Sequence, residues 1–238
     1  MSEEIIPFVL RVEDAQLDDL RHRLAFTRWP DAELVADWSQ GVPLAKLQAL
    51  VEHWRTHYDW RRCESALNSH GQYLTRIDGV DIHFLHVRSK HPDALPLLLT
   101  HGWPGSVVEF LKCIGPLVDP VAHGGDASDA FHVVIPSLPG HGYSGKPRET
   151  GWNVKRIARA WAVLMQRLGY ARYVAQGGDW GAVVTTAMGM DRPEGLAAIH
   201  LNMPLVRPRE PGNDLNAGES QMLERLAYYA RWDSGYAT

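Results

Sequence analysis

Between Leu95 and Leu201 the chain alternates short apolar runs with helix-length segments, and this alternation restricts the fold more than any other feature. Leu95-Pro96-Leu97-Leu98-Leu99 and Phe131-His132-Val133-Val134-Ile135 are nearly continuous apolar runs, as strands buried on both faces require. Tyr173-Val174-Ala175 and Leu196 to Leu201 read as two more. Val107 to Val118 reads as a helix between the first two. Ile157, Trp161, Leu164, Met165 and Leu168 recur at helical spacing behind Asn153, a good N-cap. Ala182 to Met190 continues the series. Strands and helices in this order predict βαβ units and a mostly parallel sheet flanked by helices.

The flanking segments differ. Leu17, Leu20 and Leu24 mark one face of a helix over Asp14 to Arg28, which Trp29-Pro30 should stop. Pro43 opens a second helix whose buried face is Leu44, Leu47, Val51 and Trp54, and Trp60 to Asn68 reads as a third. Tyr73 to Ile77 and Val80 to Val87 surround Asp78-Gly79, a two-residue hairpin signal. Arg207 to Asn213 is a polar, breaker-rich linker, and Met222, Leu226 and Tyr229 mark a helix from about Gly218 to Trp232. The expected organisation is a helical arm with the first hairpin strands over 1–93, a partial α/β core over 94–206, and the start of a further domain over 207–238.

Composition excludes several functions. A net charge of −4 leaves no footprint for nucleic acid or an anionic surface. The two cysteines, Cys63 and Cys113, match no disulfide framework or zinc pattern, so a cytoplasmic setting is expected. The first residues show no signal-peptide pattern, and no run reaches the roughly 18 apolar residues of a membrane span.

The candidate chemistry lies in three loops at strand ends. Gly177-Gly178-Asp179-Trp180-Gly181 has the form of a nucleophile elbow, G-x-Ser-x-G, with aspartate in the serine position. Small residues at both ends allow a turn tight enough to push the central side chain out over the sheet. A helix N-terminus there favours the ionised carboxylate. Taken alone, the same string is also an ordinary aspartate N-cap. His101-Gly102-Trp103-Pro104-Gly105-Ser106 follows the first buried strand, where a backbone N–H of an oxyanion hole is supplied in α/β-hydrolases. The donors would be the N–H groups of Trp103 and Trp180. Ser137-Leu138-Pro139-Gly140-His141-Gly142-Tyr143-Ser144 follows the next strand, and all three loops lie where open α/β sheets bind ligands.

With these motifs in order, the chain resembles the microsomal-type epoxide hydrolases, in particular soluble bacterial members. Arg28-Trp29-Pro30 and Trp38-Ser39-Gln40-Gly41-Val42-Pro43 in the arm carry the specific part of the likeness. The resemblance implies an α/β-hydrolase fold and a cofactor-free, metal-free opening of a small apolar epoxide. Asp179 would attack a ring carbon, and water would hydrolyse the resulting ester to a diol. It implies Asp179 as nucleophile, Trp103 and Trp180 as backbone oxyanion donors, and their indoles as substrate-binding walls, with plain packing the alternative for the indoles. Other Asp-nucleophile hydrolases, such as dehalogenases, and a non-catalytic binder of apolar ligands remain the alternatives.

The other polar residues read as structural. His101 belongs to loop structure, His132 and His200 to sheet ends or core, and Asp78 and Asp81 to the hairpin turn. His123-Gly124-Gly125-Asp126 is a loop without metal spacing. Tyr228, Tyr229 and Tyr236 fall where the family's cap domain begins and read as helix packing. The family's triad places an acid and a histidine after the cap, and no histidine follows His200 here. The expectation is therefore a C-terminally incomplete member, unable to finish a catalytic cycle alone, found as a homo-oligomer or with a C-terminal complement.

Overall fold

The computed structural model describes residues 4–205 and 214–234. The chain forms two compact units, Met1–Met203 and Pro204–Thr238. In the first, β1 (Ile5–Pro7) is followed by α1 (Asp14–Ala25), α2 (Leu44–Thr56), α3 (Trp60–Asn68), β2 (Gln72–Ile77), β3 (Val80–Val87) and β4 (Leu95–Thr100). Then come α4 (Leu111–Val118), β5 (Phe131–Pro136), α5 (Val154–Arg167), β6 (Tyr173–Gly177), α6 (Trp180–Asp191) and β7 (Leu196–Leu201). The second unit carries α7 (Ala217–Trp232), opened by a capping box between Asn216 and Glu219. Met222, Leu226 and Tyr229 lie on α7, while the Arg207 to Asn213 linker and Tyr236 fall outside the described residues.

The strands form one sheet in the order β1-β2-β3-β5-β4-β6-β7. Pairing is antiparallel from β1 to β5 and parallel from β5 through β4 and β6 to β7. The chain leaves β4 to one side for β5, then crosses to the other side for β6. The strand order therefore switches beside β4, and a crevice opens at the carboxyl ends of β4 and β6. Strand β1 carries no periodic signal in its three residues. It forms because β2 offers a free edge, on which Ile5 to Pro7 pair with Thr75 to Tyr73.

Alternation along the strands sorts two cores. Ile82, Phe84, Leu98, Val134 and Ala175 face α5 and α6, where Trp161, Leu164, Met165, Val184 and Met188 pack on them. Leu85, Leu97, Leu99, Val133 and Ile135 face the other way, against Leu10, Leu67, Val107 and Ile114. The hairpin turn is as expected, with Asp78 and Gly79 both at positive φ (47° and 81°). Asn153 Oδ1 accepts from the N–H groups of Lys155 and Arg156, each at 3.1 Å, and so caps α5.

Three expectations need correction. Helix α1 stops at Ala25, not Arg28, because the Thr27 hydroxyl donates to the Leu24 carbonyl and turns the chain before the proline. The segment from Val107 opens with a 3-10 turn over Val107–Phe110, held by a capping box between Ser106 and Glu109, before α4 begins. The apolar face of α2 is not buried: Leu47 and Trp54 are exposed. The α1–α2 pair has no third layer over it among the described residues and leaves an open apolar groove lined by Leu20, Leu24, Leu50 and Trp54. No helix among the described residues is long and apolar enough to cross a membrane.

Candidate active site

Asp179 sits between β6 and α6 at φ 50°, ψ −127°, a left-handed conformation that costs about 1–3 kcal/mol for a residue with a Cβ. As a plain N-cap it would bond the first amides of α6, but its side chain makes no cap bond. Its Oδ1 instead accepts the N–H of Trp103 at 2.8 Å, across 76 residues of sequence. The two motifs read from the sequence therefore meet. Trp180 is the first residue of α6, so its N–H is one that a helix leaves without an intrahelical acceptor.

Glycine makes this approach possible. A Cβ on Gly181 would run into the backbone carbonyl of Thr100 at the end of β4, and one on Gly177 into the carbonyl of Gly181. A Cβ on Gly102 would overlap the Asp179 carboxylate, with its Cγ at 2.7 Å. The β4 loop, the end of β6 and the first turn of α6 are thus packed backbone to backbone. Around this centre the indoles of Trp103 and Trp180 are exposed, at 61% and 53%, rather than built into the core. The peptide between Trp103 and Pro104 is cis.

His101 is buried directly beneath the loop. Leu138 N–H donates to its Nε2 at 3.1 Å, so the ring proton is on Nδ1 and donates to the Gly102 carbonyl at 2.9 Å. Burial holds its pKa below the ordinary histidine value, partly offset by the Gly102 bond. Both nitrogens are committed, so His101 shapes the loop and has no lone pair for a water.

The remaining polar candidates stand apart from Asp179 chemistry. His132 Nδ1 accepts from Ser89 N–H at 3.0 Å. His200 is exposed on β7. Asp78 pairs with Arg156 at 3.2 Å and Asp81 with Arg76 at 3.6 Å, both beside the hairpin turn. Asp126 accepts from Ser128, and His123 ends a 3-10 turn. Among the described residues no group of three or more His, Cys, Asp or Glu side chains could hold a metal ion.

Among the buried polar residues, Gln72 and His83 escaped the sequence reading. The His83 ring is bonded on both sides, Nδ1 to Ser137 Oγ at 2.9 Å and Nε2 to Gln72 Oε1 at 3.0 Å. The available signal was a histidine inside the apolar run Ile82 to Leu85, a position that only a fully bonded ring can occupy.

Known proteins are similar in sequence and fold. Residues 5–110 match the family model described as epoxide hydrolase N terminus, and residues 96–235 match that of the alpha/beta hydrolase fold. A protein of Stigmatella aurantiaca named "Putative epoxide hydrolase" is 61% identical over 98% of this chain and 53% of its own length. Epoxide hydrolase 1 of Oryctolagus cuniculus is 38% identical over 86% of this chain and 46% of its own. The solved structure of Aspergillus niger epoxide hydrolase superposes with a TM-score of 0.81 at 34% identity, covering 98% of this chain and 62% of that one. The chain thus spans about half the length of the curated relatives it matches. With the arm, the elbow and the β4 loop all matched, the chain belongs to the epoxide hydrolase family of the α/β-hydrolase fold.

Proposed function

We propose that Asp179 is the nucleophile of an epoxide hydrolase acting on small apolar epoxides. The observation that carries this reading is the 2.8 Å bond from Trp103 N–H to Asp179 Oδ1. It divides the work between the two carboxylate oxygens. Oδ1 is held by the amide and stays the carbonyl oxygen, while Oδ2 is left to attack a ring carbon. The ring C–O bond breaks, its electron pair goes to the oxygen, and that oxygen takes a proton from solvent water to become a hydroxyl. The Asp179 ester then has its carbonyl oxygen already in the place where charge develops when water adds to the carbonyl carbon. Donors there are worth about 3–4 kcal/mol each in comparable sites. Collapse of that adduct releases the diol and restores the carboxylate. The exposed indoles of Trp103 and Trp180 supply apolar contact area for the substrate.

The water needs a base, and general-base assistance is worth about 10²–10⁴-fold. His101 cannot serve, because both its nitrogens are bonded. No histidine among the described residues is hydrogen-bonded to Asp179, so residues 1–238 tested by themselves should accumulate the ester. The experiment is intact-mass analysis after incubation with a styrene-type epoxide. One adduct of the epoxide's mass is expected, mapping to the peptide that holds Asp179 and absent from Asp179→Asn. An adduct elsewhere, or none, overturns the nucleophile assignment. Sustained diol production would show that residues 1–238 contain a working base.

A further inference from the structure

A line of hydrogen bonds with a fixed direction runs from the N-terminal arm to the oxyanion-hole loop. It begins at backbone, where no choice of donor exists. Leu10 N–H donates to Asn68 Oδ1 at 2.9 Å, and Asn68 Nδ2 donates to the Leu10 carbonyl at 2.8 Å, which fixes the Asn68 amide. Asn68 Oδ1 also accepts from Gln72 Nε2 at 2.7 Å, which fixes the Gln72 amide. Gln72 Oε1 can then only accept, so the His83 proton is on Nε2. His83 Nδ1 is left bare and accepts the Ser137 hydroxyl.

Ser137 is held on every side. Its N–H donates to the His83 carbonyl at 2.8 Å, and its own carbonyl accepts from Ser144 Oγ at 2.7 Å. Ser144 Oγ in turn accepts the His83 N–H at 3.0 Å. The next residue, Leu138, donates its N–H to His101, and His101 donates to Gly102, whose neighbour Trp103 donates to Asp179. Gln72, His83, Ser137 and His101 are buried, and Asn68 is at the surface end. The rings of Phe8 and Tyr143 pack on His83 with centroids 5.1 and 5.5 Å away, so the ring cannot turn to find other partners.

Burying an amide and an imidazole is costly unless every polar atom is matched, and an apolar pair could fill the same space nearly neutrally. What the polar pair adds is direction. We propose that Asn68, Gln72, His83 and Ser137 are positioning residues through which the arm sets the Trp103 N–H against Asp179. This rests on the nucleophile reading above only for its kinetic consequence. A small displacement of a positioned group is enough to slow a reaction 10-fold to about 10²-fold.

The test uses the whole chain and the variants Gln72→Met, Ser137→Ala and Asn68→Ala. Nitrogen NMR of the histidine rings should show the His83 proton on Nε2, moving to Nδ1 in Gln72→Met, where Nε2–H loses its acceptor and Ser137 Oγ can accept instead. The Trp103 amide proton, whose shift reports its bond to Asp179, should move in all three variants. Single-turnover ester formation with a styrene-type epoxide should slow about tenfold in Gln72→Met and Ser137→Ala, with the half-saturating epoxide concentration unchanged. Asn68→Ala, at the surface, keeps the core intact and should show the same changes at smaller amplitude. A merely structural role would alter unfolding midpoints without moving the Trp103 amide. The proposal is overturned if the His83 proton moves in Gln72→Met while the Trp103 amide and the ester rate stay at wild-type values. It is equally overturned if folded Asn68→Ala leaves that amide unmoved. A wild-type chain that forms no ester would count against the nucleophile reading, and the NMR comparison would still decide the relay.

Discussion

On the side of α5 and α6 the sheet is covered from β2 to β6, with Ile199 on β7 still 39% exposed, whereas on the side of α4 the cover ends before β6. Ala175 on β6 and Ile199 on β7 are register partners turned toward α6, and Ala175 is 1% exposed. Val174 and its partner Ala198 point the other way, into an open apolar groove of about 770 Å³ that also takes in Leu97, Leu99, Cys113 and Leu117. Gln176 Oε1 lies in that groove without a hydrogen-bond partner among the described residues. The two sides teach that the nucleophile is set by the covered part of the sheet, packed by α6 on one face and by the arm on the other. Asp179 is held by β6, by the first turn of α6, by the β4 loop and by the buried residues Ala182, Val184 and Met188 that anchor α6. On the open flank Asn202 lies against Gly178, the residue before Asp179.

The sharpest way to break the closed side is Ala175→Asp. It places a carboxylate between the sheet and α6 with no partner, where an unpaired buried charge costs many kcal/mol. We expect loss of the cooperative fold, seen as the absence of a thermal unfolding transition. A folded Ala175→Asp chain would show that α6 is not packed as described.

Acid should loosen both faces, because His83 lies on the face of Leu85 and His86 on the face of Phe84. Burial pushes the His83 pKa from 6.5 down to about 4, and the His86 pKa likewise to about 4. The folded protein therefore resists the proton that the unfolded chain accepts. Stability is complete above pH 6.5 and falls as pH drops toward 4, with about 3 kcal/mol attributable to His83 alone. Urea midpoints measured between pH 7 and pH 4 should fall steadily, and a flat profile would mean that His83 is accessible to protons in the folded state.

A smaller effect is expected at the edge of the closed side. Asn153→Ala removes the acceptor for the first amides of α5 and should lower stability by about 1 kcal/mol in equilibrium unfolding. No change would place the α5 cap on water instead.

What the sequence revealed follows the same division. Strands β3, β4, β5 and β7 and helices α5 and α7 were legible because their apolar runs or helical stripes are strong, and Asn153 and Asp78-Gly79 mark two of the ends. The meeting of Trp103 with Asp179 was legible because tight glycine spacing has few other uses. The α2 face misled, because helical periodicity reports an apolar stripe and not what covers it. The partners of Gln72 and His83 were illegible for a different reason. Their pairing depends on β2 and β3 lying in register, with Leu74 opposite His83, and on the Ser137 loop closing over them. No spacing within one segment encodes a contact among three.

The smallest effect sharpens the comparison most. Ala198→Asp adds the same carboxylate as Ala175→Asp, on the neighbouring strand but on the opposite face of the sheet. Ala198 is exposed and its side chain looks into the open groove, so the charge stays hydrated. Stability should change by no more than about 0.5 kcal/mol, the usual range for surface positions free of special contacts. The pair of variants therefore converts the two faces into one measured difference of several kcal/mol. If Ala198→Asp instead proves as damaging as Ala175→Asp, the groove is filled in solution. Repeating the unfolding at tenfold different protein concentrations then identifies the filler. A midpoint that rises with concentration means a second copy lies on β7, and one that stays constant means the cover comes from within the chain.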